Sequence, residues 1–251
     1  MLRILLTNDD GIEAPGLHVL EAAVAGLGEV HVVAPLSEQS GTSRAITLRR
    51  PLRYETRGVR RYAVKGTPAD TVMMAISQIL GFLPDLAISG INSGPNLGEN
   101  IYYSGTVAAA AEAAKYGVPA IALSVNARND IDYFATAEFG ARLAAKVIED
   151  GLPGGVALNV NVPHPWNGGI EITRQSRRIS RSVMIETTDP HGRPYYWMHE
   201  EVPLADAEPG TDYAAIRDGH ISITPIRFDH TEETLLEPLK LSVVDSLLQK
   251  R

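Results

Sequence analysis

The chain has 251 residues, of which 44% are hydrophobic and 21% charged, with 22 glycines and 16 prolines. This composition is typical of a globular protein with a sizeable core and excludes a mainly disordered chain. A formal net charge of −7 disfavours a protein that binds nucleic acid or anionic membranes over a broad basic surface. The absence of cysteine excludes disulfides, thiolate metal sites and cysteine nucleophiles. We therefore expect a cytoplasmic protein with no membrane and no stable nucleic-acid partner.

The first 160 residues alternate short apolar runs with longer helical patterns, as in βαβ units. The predicted strands cover 3–6, 29–34, 86–89, 119–124 and 156–162, and the predicted helices cover 16–27, 68–80, 104–116 and 132–149. The second helix has the clearest signals, because Thr67 can cap it, Pro68 suits its first turn and Gly81 follows its last turn. This alternation predicts an α/β fold whose mostly parallel sheet carries helices on both faces.

Beyond residue 163 the helical pattern fades. Short β-like runs cover 170–173, 183–186, 195–198 and 221–225, and a last short helix is predicted over 239–248. Its apolar face must be buried against another surface, which can be that of a second subunit. We therefore expect a core over residues 1–162, which carries the functional site. An irregular β-rich extension over 163–251 would end in the short helix and serve oligomerisation; one integrated domain is the alternative.

Polar residues are concentrated directly after three predicted strands, where ligands bind in doubly wound sheets. Asp9 and Asp10 follow the first strand, and hydroxyl and amide side chains follow the second and third: Ser37, Gln39, Ser40, Thr42, Ser43, Asn92, Ser93, Asn96 and Asn100. Adjacent buried carboxylates repel each other, and a bound cation relieves the repulsion. Oxygen donors alone suit Mg²⁺, Mn²⁺ or Ca²⁺. The alternative is that Asp9 and Asp10 only cap the next helix or form a turn with Gly11.

A second candidate feature is the glycine-rich loop 89–98 and the helix that Ser104, Gly105 and Thr106 open. Backbone N–H groups at such a helix start can bind a phosphate, although Ser104 or Thr106 can instead merely cap the helix. The sequence has neither a dinucleotide-binding fingerprint after the first strand nor a Walker A loop. It also lacks the G-x-S-x-G and H-E-x-x-H motifs.

Arginines cluster at 44–53 and 174–181. We expect both clusters to form solvated surface. The alternative is that Arg177 and Arg178 lean over an anionic substrate.

Several motifs closely resemble those of the stationary-phase survival protein family, SurE. They are Ile4 to Ile12 (ILLTNDDGI), Val33-Ala34-Pro35 with Gln39-Ser40-Gly41, Lys65 to Asp70 (KGTPAD), Ser89 to Gly98 (SGINSGPNLG), and Tyr103 to Ala110 (YSGTVAAA). The match is strong over residues 1–125 and concerns only general layout beyond them. Each motif is modest alone, but together and in this order they are highly specific.

The resemblance implies a Rossmann-like core and a metal-dependent phosphatase that acts on nucleoside 5′- and 3′-monophosphates, in some members also on short polyphosphate. It implies homodimers or tetramers joined through exchanged C-terminal segments. Carried over by position, one Mg²⁺ or Mn²⁺ per subunit would be held by Asp9, Asp10, Ser40 and Asn92. Phosphate contacts would come from Asn96, Ser104, Gly105 and Thr106, with Asn8 and Gly41 close by. Asp9 and Asp10 would be catalytic; one of the two carboxylates, Asp9 rather than Asp10, would orient or deprotonate the attacking water, with Asp10 as the alternative.

Three other functions start from the same residues. A receiver-like signalling module also holds Mg²⁺ with paired acidic residues, but it needs an aspartate after its third strand, where this chain has Ser89 to Asn92. An aspartyl-phosphate phosphatase usually has the spacing Asp-x-Asp, which is absent around Asp9. A non-catalytic nucleotide-binding protein would be recognised by the absence of turnover.

Overall fold

The computed structural model describes residues 1–127, 131–177, 181–201, 207–244 and 247. Its strands are β1 (Arg3–Thr7), β2 (Glu29–Pro35), β3 (Tyr54–Gly58), β4 (Arg61–Val64), β5 (Leu86–Ser93), β6 (Ala120–Asn126), β7 (Val156–Pro163), β8 (Ile170–Ile172), β9 (Arg181–Thr188), β10 (Pro194–Glu201) and β11 (Ile221–Arg227). Its α-helices are α1 (Pro15–Val24), α2 (Pro68–Met74), α3 (Gly105–Lys115), α4 (Tyr133–Asp150), α5 (Asp212–Arg217) and α6 (Leu236–Leu239). Among the described residues, no helix is both long enough and apolar enough to span a bilayer.

Nine strands form one sheet in the order β3-β4-β2-β1-β5-β6-β7-β11-β8, and β9 and β10 form a second, two-stranded sheet. Six neighbouring strands of this sheet are parallel to one another: β4, β2, β1, β5, β6 and β7, in this spatial order. This is the strand order of the Rossmann fold. The predicted α/β, mostly parallel, Rossmann-like fold is therefore confirmed. The order reverses direction between β1 and β5, which makes their carboxyl ends the place where a ligand cleft is expected.

Both faces of the sheet are covered, because successive side chains of each buried strand point to opposite sides. On β1, Ile4 and Leu6 belong to the apolar cluster shared with α1 and α4, whereas Leu5 belongs to the cluster shared with α2 and α3. Helix α1 packs against α4 on one face, and α2 packs against α3 on the other. This two-sided burial leaves the strand ends as the part of the sheet open to ligands.

The start of α2 confirms the signals in its sequence. The Asp70 N–H donates to Thr67 Oγ1 over 3.1 Å, and the Thr67 N–H donates to Asp70 Oδ2 over 3.0 Å. This reciprocal capping box satisfies two N–H groups that the first helical turn leaves free. After Met74 the helix continues as a π-helical turn over Ala75–Ile79, and Gly81 follows with φ +71°.

The structure differs from the sequence prediction at several elements. Strand β5 runs on to Ser93, through residues that were expected to be loop, because it keeps pairing with β6. Strands β3 and β4 and helix α5 were not predicted. The last helix begins as α6 and continues as a π-helical turn over Lys240–Val244; of the predicted 239–248, residues 245, 246 and 248 lie outside the described residues.

The extension expected beyond residue 162 contributes strands to the central sheet. Strand β11 pairs antiparallel with β7, and β8 pairs parallel with β11. The β9–β10 hairpin forms a separate two-stranded sheet. The division into a core over 1–162 and an extension over 163–251 stays a prediction.

Candidate metal and phosphate site

A cleft of about 810 Å³ opens at the carboxyl ends of β1 and β5. Its lining residues come from the loops after β1 and β2, from the end of β5 and the segment after it, from the start of α3 and from β10: Asp9, Asp10, Glu38, Ser40, Gly41, Asn92, Ser93, Pro95, Asn96, Glu99, Asn100, Tyr103, Ser104 and Met198. The strand order thus brings together residues that are far apart in sequence, as expected at this point of a doubly wound sheet.

Asp9 is buried directly after β1, at the N-terminus of α3. The Thr106 hydroxyl donates to Asp9 Oδ1, and the N–H groups of Gly105 and Thr106 also favour the charged form of this carboxylate. A Cβ on Gly105 would lie 2.7 Å from Asp9 Cβ, so glycine permits this close approach. Burial nevertheless raises the pKa of Asp9 above its usual value, with these hydrogen bonds opposing the rise.

Asp10 lies beside Asp9 in the wall of the cleft. Burial, and then the negative charges of Asp9 and Glu38, raise the pKa of Asp10 to about 6, while a hydrogen bond from the Ser93 backbone opposes the rise. Among the described residues, no lysine, arginine or histidine forms an ion pair with any of these three carboxylates. The site therefore concentrates negative charge without a protein cation to balance it.

Ser40 and Asn92 bring further oxygen atoms to the cleft. The Gln39 N–H donates to the Asp9 carbonyl over 2.7 Å, which ties the Ser40 loop to the end of β1. The Ser40 hydroxyl donates to Glu38 Oε1 over 2.8 Å. Asn92 Nδ2 donates to the Gly94 carbonyl over 2.8 Å, so the amide oxygen is the atom that Asn92 can offer to a cation.

A bulge in β5 precedes Asn92, and Gly90 makes it possible. The register against β6 shifts between Gly90 and Asn92. Gly90 has φ +146°, and a Cβ there would lie 2.3 Å from the Leu123 carbonyl oxygen. Only glycine fits this position, which fixes where β5 releases its polar residues into the cleft.

The donor set fits a hard divalent cation. The candidate ligands are all oxygen atoms, and they lie among carboxylates whose mutual repulsion a cation would relieve. In the part of the chain that the structure describes, no three His, Asp or Glu side chains group as a metal centre. The ligand set predicted from the resemblance, Asp9, Asp10, Ser40 and Asn92, stays a prediction.

Of the ten residues predicted for the site, seven line the cleft: Asp9, Asp10, Ser40, Gly41, Asn92, Asn96 and Ser104. The other three lie behind it. Asn8 is fully buried and closes the turn with Gly11, to which it donates over 2.9 Å and from which it accepts over 3.2 Å. Gly105 and Thr106 hold Asp9. Ser104 Oγ caps α3 by accepting from the Val107 N–H over 3.1 Å.

Asn96 is held by two asparagines of β7. The Asn96 carbonyl accepts from Asn159 Nδ2 over 2.8 Å and from Asn161 Nδ2 over 3.1 Å, and the Asn96 N–H donates to Asn161 Oδ1 over 2.7 Å. Its own side-chain amide donates to Ser124 Oγ over 2.8 Å. Asn159 and Asn161 alternate along β7, and both amides are paired with the backbone of Asn96.

Several residues of the site were not predicted. Glu38 and Tyr103 are next to predicted residues in the sequence, and only the fold shows that they line the cleft. Met198 comes from β10, about 100 positions beyond the other lining residues. Of the two arginines considered as substrate contacts, Arg177 is exposed and Arg178 lies outside the described residues, so that alternative stays a prediction.

Comparisons with known proteins agree with this geometry. The family model described as Survival protein SurE matches residues 4–182. A protein of Geotalea daltonii named 5′-nucleotidase SurE is 45% identical over 244 residues, covering 95% of this chain and 98% of that protein. A Thermus thermophilus protein named 5′-nucleotidase SurE 1 is 44% identical over 245 residues, covering 95% and 96%.

A solved structure gives the same result for the fold. The crystal structure of the SurE protein from Aquifex aeolicus superposes with a TM-score of 0.86 at 40% identity, covering 95% of this chain and 98% of that one. Both the sequence and the fold match along nearly the whole chain, and the chain belongs to the SurE family.

Proposed function

We propose that this protein is a divalent-metal-dependent 5′-nucleotidase that hydrolyses nucleoside monophosphates to nucleoside and phosphate. The observation that carries the proposal is the pair Asp9 and Asp10, set at the reversal of the strand order, where no lysine, arginine or histidine of the described residues forms an ion pair with either carboxylate. Relatives about 45% identical over nearly the whole chain carry the name 5′-nucleotidase. The end of β5 offers Asn92 and no aspartate, which disfavours a receiver-like module.

The residues of this chain have separate roles in the proposed reaction. Asp9, Asp10, Ser40 and Asn92 would hold one Mg²⁺ or Mn²⁺ per subunit. Such a cation supplies positive charge against the phosphoryl oxygens and activates a water molecule. Asp9 is kept in one orientation by Thr106 and the start of α3, as a residue that orients or deprotonates water must be.

The phosphate would lie against the Asn96 loop and the start of α3. Ser104 and Gly41 reach the cleft there, and the β7 asparagines fix Asn96. Gly105 and Thr106 hold Asp9, and their predicted contact with the phosphate belongs to the same proposal. Because these groups are positioned before substrate binds, little reorganisation is needed as charge develops in the transition state.

Finer features belong to the same proposal. Hydrolysis of 3′-monophosphates and short polyphosphate remains a prediction from the family resemblance, and a cytoplasmic location remains a prediction from the composition of the sequence. We also propose a homodimer or tetramer joined through the C-terminal segment. The exposed leucines of that segment support this assembly: Leu235, Leu236, Leu239, Leu241 and Leu247.

A phosphate-release assay tests the proposed activity. The protein is stripped of metal with a chelator, and inorganic phosphate released from 5′-AMP is followed before and after Mn²⁺ is added. We expect turnover only with the metal. Absence of turnover in both conditions would refute the nucleotidase proposal, and equal turnover in both would refute the metal requirement.

A further inference from the structure

Part of the cleft is lined by apolar surface that neither a cation nor a phosphate needs. Tyr103 and Met198 both line it, and these residues are 63% and 69% exposed. Apart from Gly41 and Pro95, the other lining residues carry carboxylates, amides or hydroxyls. A cleft with one polar, charged end and exposed aromatic and thioether surface suits a substrate that is itself part anion and part flat aromatic ring.

Tyr103 is fixed in place by its backbone. Its N–H donates to the Asn100 carbonyl over 3.1 Å, and its carbonyl accepts from the Ser43 N–H over 3.0 Å. The next residue is Ser104, the cap of α3. The aromatic ring is therefore attached one residue away from the end of the cleft assigned to phosphate, on backbone that is already ordered.

Met198 reaches the same cleft from the β9–β10 hairpin. It pairs directly with Met184, and alternation along β10 places Tyr196 on the same face. Trp197 and its partner Ile185 are on the opposite face. Met184 and Tyr196 are also exposed, so the hairpin face that Met198 shares carries further exposed thioether and aromatic surface.

We propose that Tyr103 and Met198 bind the nucleoside part of the substrate, with the base stacked on the Tyr103 ring and the Met198 thioether in contact with the base. The inference rests on the proposed nucleotidase function and assigns the specificity of that site. Aromatic side chains stack on the π-face of nucleobases, and a polarisable thioether packs well against aromatic rings. Recognition of the base is thus separated from recognition of the phosphate.

The test compares 5′-AMP with ribose 5-phosphate, which has the same phosphate and sugar but no base. The measured quantity is the ratio of kcat/KM for the two substrates with saturating Mn²⁺. For Tyr103→Ala we expect this ratio to fall about tenfold, as for the loss of one base-stacking contact. Tyr103→Phe keeps the ring and should restore the ratio. Met198→Ala should lower the ratio in the same direction.

Two matched variants control for general damage. Tyr102→Ala removes the adjacent exposed tyrosine, whose ring contacts His230 and does not line the cleft. Trp197→Ala removes the neighbour of Met198 on the other face of the hairpin. Both should keep the wild-type ratio. Thermal unfolding of all variants verifies that they are folded.

The outcomes separate this inference from the function on which it rests. If the wild type releases phosphate from 5′-AMP and Tyr103→Ala lowers kcat/KM equally for both substrates, the nucleoside assignment is overturned and the nucleotidase stands. A ratio that falls equally in Tyr102→Ala would overturn it too. If the wild type releases phosphate from neither substrate, the proposed function and this inference both fail.

Discussion

Asp9 and Asp10 are neighbours in sequence, but their surroundings give them different properties. Asp9 is buried, and hydrogen bonds from Thr106 and the start of α3 hold its carboxylate. Asp10 is partly open to the cleft, and burial with the charges of Asp9 and Glu38 raises its pKa to about 6. The pair therefore combines one rigid carboxylate with one whose charge depends on what occupies the cleft.

Replacing Asp10 by asparagine tests its role as a ligand. The amide is a weaker cation ligand than a carboxylate and removes one negative charge, so we expect Mn²⁺ affinity to fall at least about 100-fold. Turnover of 5′-AMP should fall severely. Calorimetric titration with Mn²⁺ and phosphate release measure the two effects. Asp85→Asn, at an exposed carboxylate paired with Arg3, is the matched control. Near-normal turnover in Asp10→Asn would contradict the assignment.

The raised pKa of Asp10 also makes a prediction for the metal-free protein. Because the folded state holds this proton more tightly than the unfolded state, the stability it contributes falls as pH rises from about 4 through 6. Asp10→Asn removes that loss. We expect the free energy of unfolding of the variant, relative to that of the wild type, to rise by about 1 kcal/mol between pH 5 and pH 7.5, after allowing for solvent screening.

Urea unfolding in the presence of a chelator measures this difference. With excess Mn²⁺ at pH 7.5, the wild type should become the more stable of the two proteins, because it gains more stability from the ion than the variant does. A stability difference between the two proteins that is the same at both pH values would show that Asp10 is not the titrating group.

At the scale of elements, strand β7 supports the site without lining the cleft. Asn159 and Asn161 bind both backbone polar groups of Asn96, and all three side chains are buried. The strand thereby fixes the loop that follows β5. A buried backbone group that loses its partner is costly, so these asparagines are coupled to both stability and substrate binding.

Removing one of these amides should show that coupling. For Asn161→Ala we expect a loss of about 1 to 3 kcal/mol in the free energy of unfolding, since the Asn96 N–H is left without its acceptor. We also expect a higher KM for 5′-AMP, because Asn96 belongs to the cleft. Asn167→Ala, which removes an exposed amide bonded to the Asp218 carbonyl, is the control. An unchanged KM would mean that the hydrogen bonds from β7 to Asn96 serve folding alone.

Local signals in the sequence predicted the elements they control. Thr67, Pro68 and Gly81 defined α2, because capping depends on neighbours within a few residues. Strand β3 has five exposed residues and no apolar alternation, so nothing in its own sequence distinguishes it from a loop. The end of β5 looked like a glycine-rich loop, and only pairing with β6 makes it a strand.

The same division holds for the site. Asp9, Asp10 and Asn92 could be predicted because polar residues after parallel strands meet at one edge of the sheet. Met198 could not, because the hairpin that carries it is brought to the cleft by the path of the whole chain. The sequence did not predict that the Thr106 hydroxyl donates to Asp9, a contact made at the N-terminus of α3, where an anion is favoured. The phosphate contact expected of Thr106 stays a prediction.

At the scale of the whole molecule, the C-terminal segment carries several exposed apolar side chains. Helix α6 has four residues and continues as one π-helical turn, and a helix this short is not stable alone in water. Its leucines at 236, 239 and 241 are about half exposed or more. Such a segment gains stability when another surface covers it, which is the physical basis for the proposed assembly.

Placing a charge on this segment tests the assembly. In Leu239→Asp the aspartate would be desolvated at the interface, so we expect association at least about tenfold weaker, measured by sedimentation over a range of protein concentrations. Val59→Asp, at an 89% exposed position in the turn between β3 and β4, is the control and should keep the wild-type state. A wild type that sediments as a monomer at every concentration would contradict the proposed assembly. If Leu239→Asp associates as the wild type does, the contact between subunits lies elsewhere on the surface.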